Sequence, residues 1–354
     1  MDKGARRGRS GDPRLDLAAL NAPILVVNPG STSLKLSVVR GDESTEVESL
    51  ETAPPDVVAV AHRVVHGGDR FREPVLVDDE VVKTLRDLVE LAPIHNAMAL
   101  EAIEAARQLF PALPHVAVFD TAFHATIPAE AATYALPERF RALGIRRYGF
   151  HGLSVQWAAE RVPVARLVVC HLGGGCSVTA VREGRSVETS MGFTPLEGVP
   201  MATRSGSVDP GALLYLLRHG LEVAELEHAL ENESGLLGLG GHGSVRELEA
   251  SDAPEASLAL DVFTYRVAGA IAAMAAALDG LDAIVFTAGV GENSAGVREQ
   301  VCARLRFLGV ALDAEANRNA TPDADVQALG SAVRVAVIRA REDVVAARVA
   351  RALL

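Results

Sequence analysis

Lysine is nearly missing from this chain. Lys3, Lys35 and Lys83 are its only lysines among 34 basic residues, and 46 acidic residues bring the net charge to −12. So acidic a chain is a poor match for nucleic acid as its main partner, and any anion it binds must meet a local focus of cations. Cysteine is scarce too. Cys170, Cys176 and Cys302 make neither an even disulfide set nor a CxxC pair, and a reducing, cytoplasmic compartment is the simple reading. Long apolar runs are lacking. The most apolar segment, residues 268–278, is too short to cross a bilayer and reads as a buried helix, so no membrane association is expected. Residues 1–22 carry Arg, Gly and Asp where a secretory signal needs an apolar stretch, and Asp2, Asp12 and Asp16 disfavour a transit peptide. They read as a disordered extension.

What is present is enough for sizeable cores: 354 residues, 49% of them hydrophobic, which suggests two domains or one large one. One stretch organises the reading. Residues 24–27 form an apolar run, Asn28-Pro29-Gly30 is strong turn chemistry, and Leu34, Leu36 and Val38 alternate with polar residues as a half-buried strand does. The turn carries Asn28, Ser31, Thr32, Ser33 and Lys35. Short donors, one cation and a glycine suit a phosphate; an ordinary polar hairpin tip is an equal alternative.

The theme recurs. Residues 57–65 read as a strand delivering His62, Arg63 and His66 to its end. Residues 81–91 have helical spacing, and His95 or Asn96 can cap a following helix through Phe110. A strand over 115–119 ends in Asp120, placed to orient a base or to hold a metal–phosphate; a helix N-cap is the commoner use of such an Asp. Residues 146–152 (RRYGFHG) show no period and read as a loop. A strand over 166–170 enters His171-Leu172-Gly173-Gly174-Gly175 and leaves through 178–181, a second strand–glycine turn–strand unit that suggests duplication. Residues 191–211 form a long aperiodic stretch carrying Arg204, closed by Asp209-Pro210 as N-cap and N1 of a helix. A long helix is expected over 255–278. A strand over 283–286 opens into Gly289-Val290-Gly291-Glu292-Asn293, with Asn293 and Ser294 leading a helix, an arrangement that can hold phosphate by backbone N–H groups. A last strand over 333–338 precedes Glu342-Asp343 at the head of a final helix, where acids either compensate the dipole or hold Mg²⁺ through water. Alternating strands and helices with polar glycine turns at strand ends read as α/β, two lobes with a cleft between them.

In this order, NPGSTSLK, HRVVHGG, FDTAFH, RRYGFHG, HLGGG, TPLEG with TRSG, FTAGVGENS and the late Glu-Asp resemble the acetate kinase family over nearly the whole chain from residue 24. The resemblance implies the two-lobed actin-like ATPase fold shared with hexokinases and Hsp70, built on duplicated ribonuclease H-like βββαβαβα cores. It places an acyl and phosphoryl lobe at 23–150 plus 343–354 and a nucleotide and dimerisation lobe at 151–342. It implies a homodimer and reversible transfer of the γ-phosphoryl of ATP to acetate, giving acetyl phosphate and ADP, with Mg²⁺ or in its place Mn²⁺. Carried over motif by motif, Asn28, Arg63, Asp120, His151 and Arg204 are catalytic, and Ser31, Ser33, Lys35 and His171 bind phosphate. Val65, Ile94, His95 and Pro195 shape the acyl pocket. Gly173, Gly174, Gly175, Ser244, Val245, Arg246, Gly289, Val290, Gly291, Glu292 and Asn293 contact ATP, and Asn28 with Glu342 places the metal.

The chain departs from the family pattern at Gly174 (usually Asn), Val155 (usually His), Ser207 (usually Asp) and Ser244-Val245-Arg246 (usually Asp-Phe-Arg). These changes bear on nucleotide affinity and base preference more than on the reaction. Propionate or butyrate kinase differs only in pocket volume. A non-catalytic nucleotide-gated protein of the same fold would not need the acyl-side arginines, and a sugar kinase would need a base facing a neutral hydroxyl. Arg63→Ala and His151→Ala are expected to keep the fold and lose turnover.

Overall fold

The structure is a computed structural model and describes residues 21–29, 34–89 and 93–354, the side chains of 93–95 excepted. All but the last two residues of the expected extension lie outside that range.

Two six-stranded sheets carry the chain. The first contains β1 (Ile24–Pro29), β2 (Leu34–Arg40), β3 (Glu43–Val47), β4 (Ala59–Val64), β5 (Val75–Leu76) and β6 (His115–Phe119), with α1 (Asp79–Asp87) and α2 (Pro93–Leu109) between the last two strands. After α3 (Gly152–Arg161) the second sheet follows: β7 (Arg166–Leu172), β8 (Cys176–Arg182), β9 (Arg185–Thr189), β10 (Ala283–Thr287), β11 (Ala324–Asp325) and β12 (Arg334–Val337). Among the helices of this half are α4 (Pro210–Arg218), α5 (Val245–Glu249), α6 (Pro254–Leu278), α7 (Ala288–Asn293) and α8 (Ala295–Ala303), and α9 (Glu342–Leu353) ends the chain. The spatial orders are β3-β2-β1-β4-β6-β5 and β9-β8-β7-β10-β12-β11. In both, the first three strands pair antiparallel, the central three run parallel, and a two-residue strand closes the edge antiparallel. The two halves therefore share one topology, as the repeated strand–glycine–strand units suggested.

The central strands read as continuous apolar runs because both faces are covered. Ile24 and Val26 of β1 face the inter-sheet core, while Leu25 and Val27 pack with Ala102 and Ala106 of α2 on the other face. α3 and α9 lie between the sheets. Their Val155, Ala158, Val345 and Ala347 join Ala59 and Val116 of the first sheet with Val169, Val285 and Ala336 of the second. α9, at the end of the chain, packs on β1, β4 and β6 of the first sheet, while α3 packs on β7 and β10 of the second. The outer face of the second sheet is covered by α6 through Phe263, Val267 and Ile271. Burying one such Phe stabilises by about 2–3 kcal/mol.

Three local expectations change. α2 starts at Pro93, so Asn96 sits in its first turn and caps nothing; its buried amide instead accepts from the His66 backbone N–H and donates to the His66 carbonyl. Asp120 is no helix cap, because its carboxylate is taken by Arg63. The GVG segment is itself a helix, α7; Ser294 caps α8, and Asn293 turns back to donate to the Gly289 carbonyl.

Candidate active site

Parallel neighbours β1, β4 and β6 end at the same edge of the first sheet, and their ends carry polar side chains. Arg63 Nε donates to Asp120 Oδ1 at 2.9 Å, Nη2 donates to Asp120 Oδ2, and Nη1 donates to Asn28 Oδ1 at 2.9 Å. Glu342 opens α9, which packs on β1 and β4. Its carboxylate lies 3.6 Å from Arg63 Nη1 and accepts from Asn28 Nδ2 at 3.4 Å. Lys35 stands opposite Asn28 in the β1–β2 register, exposed.

Electrostatics follow from burial. Asp120 is fully buried, which pushes its carboxyl above the usual range against the pull of Arg63. Burial works against the Arg63 charge, but Asp120 and Glu342 outweigh it and hold the guanidinium protonated. Glu342 is also disfavoured as an anion by burial, yet Arg63, His171, Asn28 and Lys35 bring it below the ordinary value.

From the second half come two stacked imidazoles. His151 and His171 have ring centroids 4.0 Å apart at 17°. His151 Nδ1 meets Ser177 Oγ at 3.0 Å and His171 Nδ1 meets Ser154 Oγ at 2.8 Å. Burial, His171, Arg63 and Arg204 all depress the His151 pKa, and burial takes His171 down to about 4. Both are neutral at pH 7, so each ring carries a single N–H and one acceptor nitrogen. A proton on His151 Nε2 requires Ser177 to donate to Nδ1. A Cβ on Gly175 would sit 3.2 Å from His151 Nε2 and 3.7 Å from Arg204 Nη1, so these two groups converge over a position kept small by glycine. Arg204 reaches this point from the long loop, whose Thr203 Oγ1 donates to the Glu231 carbonyl at 2.8 Å and whose Ala202 N–H donates to the Gly174 carbonyl at 3.2 Å.

The same loop is fastened at its other end by residues the sequence reading left unused. Arg147 donates to the Ser190 and Met191 carbonyls and to Glu197, and Tyr134 Oη donates to Glu197 while accepting from Phe193 N–H. The Gly68 N–H donates to His66 Nδ1, which leaves the proton on Nε2 to donate to the Phe193 carbonyl at 3.3 Å. Pro195 is half-buried two residues further on, and Val65 is buried at the end of β4 with Phe150 and Met191. Ser31, Ser33 and the side chains of Ile94 and His95 fall outside the described residues.

A cavity of about 410 Å³ gathers Gly173, Gly174, Ser244, Val245, Arg246, Gly289, Val290 and Asn293, together with Gly243, Glu249 and Ser294. Gly175, Gly291 and Glu292 do not line it. Gly175 lies instead against His151 Nε2 and Arg204 Nη1. The Gly291 carbonyl accepts from Arg298, and Glu292 Oε1 turns inward to accept from Ala288 N–H at 3.0 Å and Ala340 N–H at 2.8 Å. Glu292 thus ties α7 to the segment that leads to Glu342. Arg298, 2% exposed, is satisfied by the Gly291, Glu292 and Asn317 carbonyls and the Asn317 amide oxygen. A lone arginine on an amphipathic helix gave no sign of this.

No group of three or more His, Cys, Asp or Glu suited to a metal exists among the described residues. The carboxylate of Glu342 fits Mg²⁺, which takes one or two protein ligands and completes its shell with water and phosphate; Asn28 turns Nδ2 to that carboxylate and Oδ1 to Arg63, so it steadies Glu342.

The model of the acetokinase family matches residues 43–348. The chain is 48% identical over 307 residues to the acetate kinase of Synechococcus sp. (strain JA-2-3B'a(2-13)), covering 83% of this chain and 76% of that one. It is 45% identical over 293 residues to the acetate kinase of Protochlamydia amoebophila, covering 80% and 74%. Among solved structures, a propionate kinase from Francisella tularensis subsp. tularensis superposes with a TM-score of 0.84 at 34% identity over 93% of this chain and 98% of that one. The Porphyromonas gingivalis acetate kinase gives 0.83 at 32% over 92% and 98%.

Proposed function

The chain belongs to the acetokinase family, and from that premise we propose how its residues carry out the family's reaction, reversible in-line transfer of the ATP γ-phosphoryl to acetate to give acetyl phosphate and ADP. The observation that carries the reading is the meeting of Asn28, Arg63, Asp120 and Glu342 at one strand edge with His151, His171 and Arg204 from the other half. Acetate is ionised at neutral pH and attacks without a general base. The protein's work is to align two anions that repel each other and to stabilise charge on the moving phosphoryl. Arg63, held rigid by Asp120 and Asn28, faces the anions with a fixed fork of donors. Arg204 and His151 Nε2 converge opposite it as a second set, the histidine donating as a neutral imidazole. Asp120 orients Arg63; its double contact leaves it poorly placed as a base. Glu342, steadied by the Asn28 amide, would hold Mg²⁺, which supplies charge neutralisation on the phosphates; Asn28 would join it as a ligand only by turning its Oδ1 from Arg63. The 410 Å³ cavity is the nucleotide side, and Val65 and Pro195 border the acyl side.

The test is acyl-phosphate capture with hydroxylamine in the presence of ATP, Mg²⁺ and acetate, propionate or butyrate. Highest kcat/KM with acetate is expected. The propionate kinase likeness gives the longer acid a specific claim, and a clear preference for propionate or butyrate overturns the acetate assignment. No product with any acid leaves only the nucleotide-gated binding reading.

The protein is proposed to be a cytoplasmic homodimer. Supporting this, α4 buries none of its residues although Leu214 is 54% and Tyr215 58% exposed, and an apolar helix face is stable in water when something covers it. α6 is long and apolar enough to cross a membrane by length and composition, but half of that window is buried inside the protein, as suits a core helix. A monomer on light scattering at micromolar concentration would count against the dimer.

A further inference from the structure

His151 holds an unusual backbone: φ +60°, ψ +25°, the left-handed region that a non-glycine residue occupies at a cost of about 1 kcal/mol or more. Something must prevent the peptide before it from rotating. The 3-10 helix Ala122–Thr126 supplies the contact. His124, buried, places Nε2 2.9 Å from the Phe150 carbonyl and Nδ1 2.8 Å from Ser186 Oγ. A carbonyl only accepts, so Nε2 carries the proton and Nδ1 accepts from the serine hydroxyl. Ser186 is itself fixed, its carbonyl accepting from Thr126 Oγ1 at 2.8 Å. Gly149, at φ +77°, has no room for a Cβ, which would lie 2.7 Å from His124 Cγ and 2.6 Å from Thr189 Cγ2. On the far side of His151, the Gly152 N–H donates to the Asp120 carbonyl at 3.0 Å. Both peptides flanking His151 are thus clamped by residues 120–124.

We propose that His124 is a positioning residue for phosphoryl transfer: its Nε2–H bond to the Phe150 carbonyl, anchored by Ser186, holds His151 left-handed so that the His151 ring stacks on His171 and presents Nε2 beside Arg204. Burial keeps His124 neutral, with its pKa depressed to about 4, so the tautomer persists at working pH. Without the Nε2 donor the Phe150 carbonyl is left unpaired and the 150–151 peptide is held only through its N–H, which meets the Asp120 carboxyl, so His151 loses part of what keeps its ring in the cleft.

The inference rests on His151 acting at the phosphoryl. His124→Phe keeps a ring and removes both bonds. It should lower kcat by about 10- to 100-fold while the KM values for acetate and ATP, and ATP binding measured by titration without acetate, stay within about 3-fold. His124→Gln, whose amide nitrogen can take the place of Nε2, should recover most of that loss. In a His151→Ala background His124→Phe should cost less than about 2-fold further, because the group it positions is gone. Equal losses in both backgrounds, or a Gln variant no better than Phe, overturn the proposal. Should His124→Phe fail to fold by circular dichroism, Ser186→Ala takes its place in the same cycle, with a loss expected only where His151 is present. Full turnover by His151→Ala alone would instead defeat the reading of His151. The histidine ring nitrogen shifts of His151, with and without His124→Phe, would then still decide whether the clamp exists.

Discussion

Arg63 is the clearest case of one side chain doing two jobs. On the proposed mechanism it faces the anions, and its guanidinium is also the cation paired with the buried carboxylate of Asp120. Replacing it with Ala strands that carboxylate. The expectation that Arg63→Ala simply keeps the fold is therefore revised: turnover should fall by about 10³-fold or more, and denaturant melts should also show a loss of about 3 kcal/mol. His151 supports no buried charge, so His151→Ala should lose turnover with an unchanged melt. Gly174 offers a change in the opposite direction. A Cβ there meets nothing within 4 Å, in the wall of the 410 Å³ cavity proposed for the nucleotide. Gly174→Asn should fit and lower the KM for ATP by up to about 10-fold, the worth of one hydrogen bond to a charged group; a raised KM would show that the space is needed empty.

At the scale of elements, α3 and α9 matter most because each is shared. They fill the space between the sheets, and α9 brings Glu342 to within hydrogen-bond reach of Asn28, 314 residues away in the chain. Val345 is 1% exposed in that layer, and Val345→Ala should cost about 1–2.5 kcal/mol by transfer and cavity terms. Because the same helix sets the Glu342 backbone, the Mg²⁺ concentration for half-maximal turnover should rise with it. A destabilised variant with unchanged Mg²⁺ dependence would separate packing from the site. Glu292 works similarly at the other end: by joining the Ala288 and Ala340 N–H groups it makes α7 and the approach to α9 one unit.

For the whole molecule, buried histidines set a pH dependence. Burial takes His62 down to about 3 and His66, His124 and His171 down to about 4, whereas in the unfolded chain they titrate near 6.5. Between those values the unfolded chain holds the protons and the native one does not. Stability is therefore full above about pH 6.5 and declines as pH falls towards about 4, by up to about 1.4 kcal/mol per pH unit for each histidine. Glu342, lowered in the fold, adds to the loss further down, and Asp120, raised, opposes it. Denaturant midpoints measured from about pH 7.5 to about pH 5 should fall steadily below about 6.5; a flat profile would mean these histidines are protonated in the native state.

By itself the sequence determined the central strands, the glycine turns and, through its motifs, the family, because each depends on a few neighbours: an apolar run, a turn residue, a short run of characteristic residues. Asn28, Arg63, Asp120, His151 and Arg204 were named as site candidates from such motifs, and the fold brings Asn28, Arg63 and Asp120 together at one strand edge. The tertiary structure alone decided which of two sound local uses each polar group takes. Asp120 had the chemistry of a helix cap and became the partner of Arg63, Glu292 turned from the cavity at Gly173 and Gly289 to two backbone N–H groups, and His124 and Arg298 gained their meaning only from the carbonyls packed around them. A buried polar group must be satisfied by whatever the fold brings near it, and that neighbour is usually distant in the chain, out of reach of any local pattern.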